Sequence, residues 1–78
     1  MAKKTDGKLK ILYVKEILER ADGRSLTMRE LLLGLSERGM SAERKSVSDD
    51  IRLLRQYGLP IVCVRRGRST AYSLKKTP

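Results

Sequence analysis

The sequence predicts a mainly α domain closed by a small β-hairpin, and three observations carry the prediction. Apolar residues recur at helical spacing in three successive stretches, 8–20, 28–38 and 43–57. The run Thr27-Met28-Arg29-Glu30 is a capping box that fixes where the second stretch begins. After the third stretch, two short β-rich runs flank Arg66-Gly67-Arg68-Ser69, the signature of a hairpin. Three helices followed at once by a hairpin describe a winged helix-turn-helix, a three-helix core plus wing.

The first helix is expected over 8–20. Ile11, Val14, Ile17, Leu18 and Ala21 share one face, with Tyr13 at its edge. Lys10, Lys15, Glu16, Glu19 and Arg20 spread over the rest, and Leu9 and Leu12 widen the apolar arc. Ala21-Asp22-Gly23-Arg24 is turn chemistry and ends the helix. Ser25-Leu26 suits a very short strand. In the capping box, the Thr27 hydroxyl accepts from the Glu30 amide while the Glu30 carboxylate reaches back to the Thr27 amide. Leu26 and Leu31 hold the positions of a hydrophobic staple, and Met28, Leu31, Leu32 and Leu35 form the buried stripe. Gly34 costs about 1 kcal/mol against Ala in mid-helix and suits a close helix crossing. Gly39 suits the left-handed position after a helix end.

The third helix is the element around which the chain is organised. Val47, Ile51 and Leu54 follow the i, i+4, i+7 spacing of a buried stripe. Lys45, Ser48, Asp49, Arg52 and Gln56 fall opposite. Ser41 or Glu43 is its N-cap, and Gly58 with Pro60 stops it. Ile61-Val62-Cys63-Val64-Arg65 and Thr70-Ala71-Tyr72-Ser73-Leu74 read as the two wing strands, with Tyr72 and Leu74 on one face. Cys63 reads as a small buried hydrophobe.

Size and composition narrow the function. Seventy-eight residues allow one small domain, assigned here to 8–75, with 1–7 as a flexible basic arm. Eighteen Lys and Arg against nine Asp and Glu give a formal charge of +9, which favours a polyanion, nucleic acid before an anionic membrane. Three tyrosines without Phe or Trp leave few platforms for stacking single-stranded bases, so duplex DNA is preferred. One cysteine and no histidine exclude an internal disulfide and a Cys/His zinc site. No apolar run approaches the ~20 residues of a membrane span, and the basic Met-Ala-Lys-Lys start lacks the apolar core of a secretory signal. The expected location is cytoplasmic, associated with the nucleoid. No residue constellation for catalysis, cofactor binding or small-molecule binding is present, so the reading is a non-enzyme.

The candidate DNA surface has two parts. Lys45 and Arg52 suit guanine edges or phosphates. Ser46 and Ser48, near the helix start, suit phosphates, and Arg44 lies on the flank. Asp49 is spaced to steady Lys45 and Arg52, or to accept from cytosine. At the hairpin tip, Arg65, Arg66 and Arg68 suit the flanking backbone or minor groove. A homodimer on a two-fold site is compatible with this arrangement. The alternative is a winged helix that docks onto protein without sequence-specific DNA binding. That reading needs an exposed apolar patch, for which Leu9, Leu12 and Leu33 are the candidates.

A resemblance adds to this reading. The segments Lys8–Tyr13, Leu26–Leu31, Ala42-Glu43-Arg44-Lys45-Ser46-Val47-Ser48-Asp49-Asp50-Ile51, Tyr57-Gly58-Leu59 and the Arg-Gly-Arg wing resemble the N-terminal winged helix-turn-helix of bacterial WYL-domain transcriptional regulators, a module similar to DeoR-type winged helices. The resemblance spans about residues 8–74. It implies sequence-specific duplex DNA binding by a regulator, with Arg44, Lys45, Ser46, Ser48, Arg52 and the wing arginines as the DNA surface. Position 48 is often a larger residue such as tyrosine in that family and is serine here, which implies different base contacts. The family continues after the wing into a ligand-sensing domain, and no effector site is assigned to these 78 residues.

Overall fold

The computed structural model describes residues 7–75; the polar segments 1–6 and 76–78, including most of the expected basic arm, lie outside the described residues. The element order is α1 (Gly7–Arg20), β1 (Leu26–Thr27), α2 (Met28–Glu37), α3 (Arg44–Tyr57), β2 (Ile61–Arg66) and β3 (Ser69–Leu74). Gly7, assigned to the arm from sequence, is the first residue of α1.

Each boundary has a local cause. At the start of α2 both halves of the capping box form: the Glu30 amide donates to Thr27 Oγ1 at 3.3 Å, and the Thr27 amide donates to Glu30 Oε1 at 2.8 Å. At its end the Met40 amide donates to the Leu35 carbonyl and the Gly39 amide to the Ser36 carbonyl. That is the Schellman pattern, and Gly39 takes the φ of +78° it requires. α3 begins after Glu43, which is extended and gives no side-chain cap. It ends with the Leu59 amide bonded to the Leu54 carbonyl across Gly58.

The core lies where the three helices meet the inner face of the sheet. Val14, Ile17 and Leu18 of α1, Leu31 and Leu35 of α2, and Val47, Ile51 and Leu54 of α3 form it with Ile61 of β2. Tyr72 and Leu74 pack against it from β3. Burying a Leu, Ile or Val in this way stabilises by about 1.5–3 kcal/mol each. At the crossing of α1 and α2, a Cβ on Gly34 would stand 3.0 Å from Ile17 Cδ1, so the glycine permits the close approach.

Three features differ from the sequence expectation. The hairpin is two strands of a three-stranded antiparallel sheet of order β1-β3-β2, because Leu26 pairs with Tyr72 and Thr27 with Ala71. Cys63 is exposed, because β2 is an edge strand that runs out past the core after Ile61. Lys10, placed on the solvent side by periodicity, is buried and forms an ion pair with Asp50 of α3. Its aliphatic stem joins the apolar face, and its ammonium finds a carboxylate from a helix forty residues away. Helices in this order, closed by a β-hairpin on a small sheet, make the architecture a winged helix-turn-helix. Among the described residues, no helix is long and apolar enough to cross a membrane.

Candidate nucleic-acid interface

α3 turns Val47, Ile51 and Leu54 into the core, so the residues half a turn away must face solvent. Lys45, Asp49, Arg52 and Gln56 are exposed there, and Ser48 is half-buried beside them. Ser46 is also half-buried, on the flank that carries Asp50 rather than on this face.

The wing is set by a two-residue turn. Arg66 pairs with Ser69 and Arg65 with Thr70, leaving Gly67-Arg68 as the loop. Gly67 has φ +61°, the positive value that a tight hairpin of this length needs at its first central position. Because side chains alternate along a strand, Arg65 and Arg66 leave opposite faces of the ribbon.

Between the wing and the N-terminal ends of α2 and α3 lies an open cleft of about 840 Å³. Arg29 of α2, Arg44 and Lys45 of α3, and Arg66 and Arg68 of the wing line it, against a single carboxylate, Glu30. Hydroxyls of Thr27, Ser48, Ser69 and Thr70 also line it, with Met28 and Tyr72 supplying apolar surface. Five cations in one concavity raise the local potential well above that of scattered surface charges.

The structure thus brings together Arg44, Lys45, Ser48, Arg66 and Arg68 from the sequence-predicted set. Ser46, Asp49, Arg52 and Arg65 do not line the cleft; Asp49 and Arg52 continue outward along α3, and Arg65 lies on the exposed part of β2. Arg29 was missed from sequence. Its signal was available: once the capping box fixes the helix start, position 29 falls opposite the Met28, Leu31, Leu35 stripe. Glu30 was read only as a capping group, although it also faces the wing.

The ion pairs sort the cations further. Arg66 Nη1 donates to Glu30 Oε1 at 2.8 Å and to the Ser25 carbonyl at 3.2 Å. Arg38 donates to Glu16 at 3.1 Å across α1 and α2. Asp49 makes no ion pair with Lys45 or Arg52 among the described residues; the neighbouring carboxylate that pairs is Asp50. Arg29, Arg44, Lys45, Arg52, Arg65 and Arg68 likewise enter no ion pair among the described residues, so their charge is uncompensated within the domain. The Thr27 amide, and then the Arg66 guanidinium, hold the Glu30 carboxyl below the ordinary value of 4.5. That carboxylate therefore stays ionised at neutral pH and remains an acceptor for both donors. Among the described residues no cluster of three or more His, Cys, Asp or Glu is placed to hold a metal ion.

Comparison of the chain with protein-family models, with curated proteins and with solved structures returns no match.

Proposed function

We propose that this domain binds duplex DNA, with α3 entering the major groove and the wing lying on the adjacent backbone or minor groove. One observation carries the reading: Arg29, Arg44, Lys45 and Arg68, none of them in an ion pair among the described residues, share the cleft between α2, α3 and the wing, and Arg52 continues along the outer face of α3. A polyanion with a regular spacing of charge is the ligand that such a surface fits.

In this reading Arg44, Ser46, Ser48 and Arg29 engage phosphates, assisted by the first-turn amides of α3, which Glu43 leaves without a side-chain cap. Lys45 and Arg52 reach base edges, where each bidentate contact discriminates by about 1–3 kcal/mol. Asp49 accepts from cytosine N4 or excludes bases that offer only acceptors. Arg65, Arg66 and Arg68 supply the wing's charge. The domain then serves a bacterial transcriptional regulator of the WYL or DeoR-like kind, acting in the cytoplasm on nucleoid DNA, and two copies pair on a two-fold site.

Selection from a random duplex pool tests this directly. An enriched motif, with half-site spacing near one helical turn if two copies bind, is the expected result. A pool that returns no enriched sequence would remove sequence-specific regulation.

A second reading rests on a different observation. Leu9, Leu12 and Leu33 are 39%, 58% and 60% exposed, and Leu53 is 56% exposed. If these leucines gather into one patch they offer a surface for docking onto protein, alone or beside DNA binding. Aspartate at positions 9, 12 and 33 leaves DNA binding intact and abolishes partner capture if docking uses them.

A further inference from the structure

We propose that Glu30 and Arg66 form a latch fixing the wing against the start of α2, so that Arg66 positions the tip cations rather than contacting a phosphate itself. This inference rests on the nucleic-acid reading of the cleft and assigns a different task to one of its arginines.

The wing needs such a tie. Only Leu26 and Thr27 extend the sheet on the far side of β3, opposite Tyr72 and Ala71. From Thr70 to the turn, β2 and β3 form a two-stranded ribbon. An isolated ribbon of two strands is marginal in water. Arg66 stands at the base of the turn and reaches back to the body of the domain. Its Nη1 donates both to the Ser25 carbonyl and to Glu30 Oε1.

The acceptor is fixed before the wing arrives. Glu30 Oε1 already accepts the Thr27 amide at 2.8 Å, so the carboxylate is held by the start of α2. It cannot follow the wing outward without giving up the cap. The site is therefore pre-organised, and ordering the wing in advance lowers what a ligand must immobilise.

Charge accounting points the same way. Arg66 is the wing arginine with a carboxylate partner, and Arg65 and Arg68 enter no ion pair among the described residues. Arg68 faces the cleft from the turn, with Arg44 and Lys45 lining it from α3. A phosphate seated there meets Arg68 as a free cation and Arg66 as a group already neutralised. Fixing Arg66 thus sets how far Arg68 stands from α3, and with it the width of the cleft.

Three variants, measured against random-sequence duplex over a range of salt, separate the roles. Arg68→Met removes a phosphate contact, so the slope of log K against log salt becomes shallower by about 0.9. Arg66→Met weakens binding by about two- to fivefold at fixed salt, the scale of an exposed ion pair, and leaves that slope unchanged. Glu30→Gln keeps a residue accepted at the third position of a capping box. It weakens binding too, although it removes a negative charge from a cation-lined cleft. A shallower slope for Arg66→Met, or tighter binding for Glu30→Gln, overturns the assignment.

Amide hydrogen exchange in the free protein reads the latch without DNA. Glu30→Gln and Arg66→Met should speed exchange at Val64 and Ser69, whose amides face the partner strand of the ribbon, while leaving the α3 amides as in the wild type. Unchanged exchange at the tip overturns the latch, even in a protein that binds DNA. A wild type without salt-dependent duplex binding overturns the DNA reading and Arg66's role in it; exchange alone then decides the latch.

Discussion

Removing the Asp50 carboxylate should cost this domain much of its stability, because it leaves the Lys10 ammonium buried without a counter-charge. The side chains of Lys10 and Asp50 are 7% and 16% exposed, so water replaces little of what either loses. Breaking a buried pair from one side costs about 3–5 kcal/mol. At 0.05–0.15 kcal/mol per residue, a domain of this length has roughly 4–12 kcal/mol in total. Asp50→Ala should therefore lower the thermal midpoint by about 12–24 °C, taking 3 kcal/mol and 4–8 °C per kcal/mol for a domain of this size. Lys10→Met keeps an unbranched stem against the core and should cost less, about 1–3 kcal/mol, since Asp50 is the more exposed partner. The double variant Lys10→Met/Asp50→Ala removes both charges together and should cost about 2 kcal/mol less than the two single variants summed. Urea unfolding followed by far-UV circular dichroism gives the cycle. A coupling of about 2 kcal/mol that persists in high salt is expected, because a buried pair is poorly screened. A coupling below about 0.5 kcal/mol would refute the claim that this pair joins α1 to α3.

Four further outcomes are expected. Gly34→Val should destabilise by about 1–3 kcal/mol, read by the same unfolding assay, because its branched side chain must displace Ile17. Cys63→Ser should shift stability by no more than about 0.5 kcal/mol, and Cys63 should react with a thiol reagent in the folded protein without prior unfolding, since it is exposed. Glu30 has a folded-state pKa below its unfolded value of 4.5, so its contribution is complete above that pH and disappears as pH falls through the lower folded value. An acid titration should accordingly show a steeper loss of stability in that acidic window for the wild type than for Glu30→Gln. Arg52→Ala should weaken a selected site about tenfold or more while changing random duplex far less, if Arg52 reads a base; equal weakening of both marks it as a phosphate contact.

The short-range content of this chain was legible residue by residue. A 3.6-residue period identifies which side of Val47, Ile51 and Leu54 is buried because side chains on one helix face lie within a few residues of each other. The capping box, the two glycine helix ends and the Gly67 turn are equally local, each closed by hydrogen bonds across five residues or fewer. The cationic cleft was legible in part. Arg44, Lys45, Ser48, Arg66 and Arg68 follow from the helix face and the hairpin tip, whereas Arg29 joins them only because α2 begins beside the wing.

The remainder depends on which distant groups the fold brings together. Lys10 and Asp50 lie forty residues apart, and no periodicity distinguishes a lysine that meets a buried carboxylate from one that meets water. Cys63 shows the converse: its neighbours are apolar, but an edge strand running past the core exposes them. Arg66 and Glu30 are thirty-six residues apart, and their pairing follows from the antiparallel return of β3 onto β1. The sequence by itself determined the helices, their caps, the hairpin and the sign of the surface, since these arise from interactions along the chain. Only the tertiary structure decided which charges are compensated, because a salt bridge forms between positions in space and local periodicity carries no record of them.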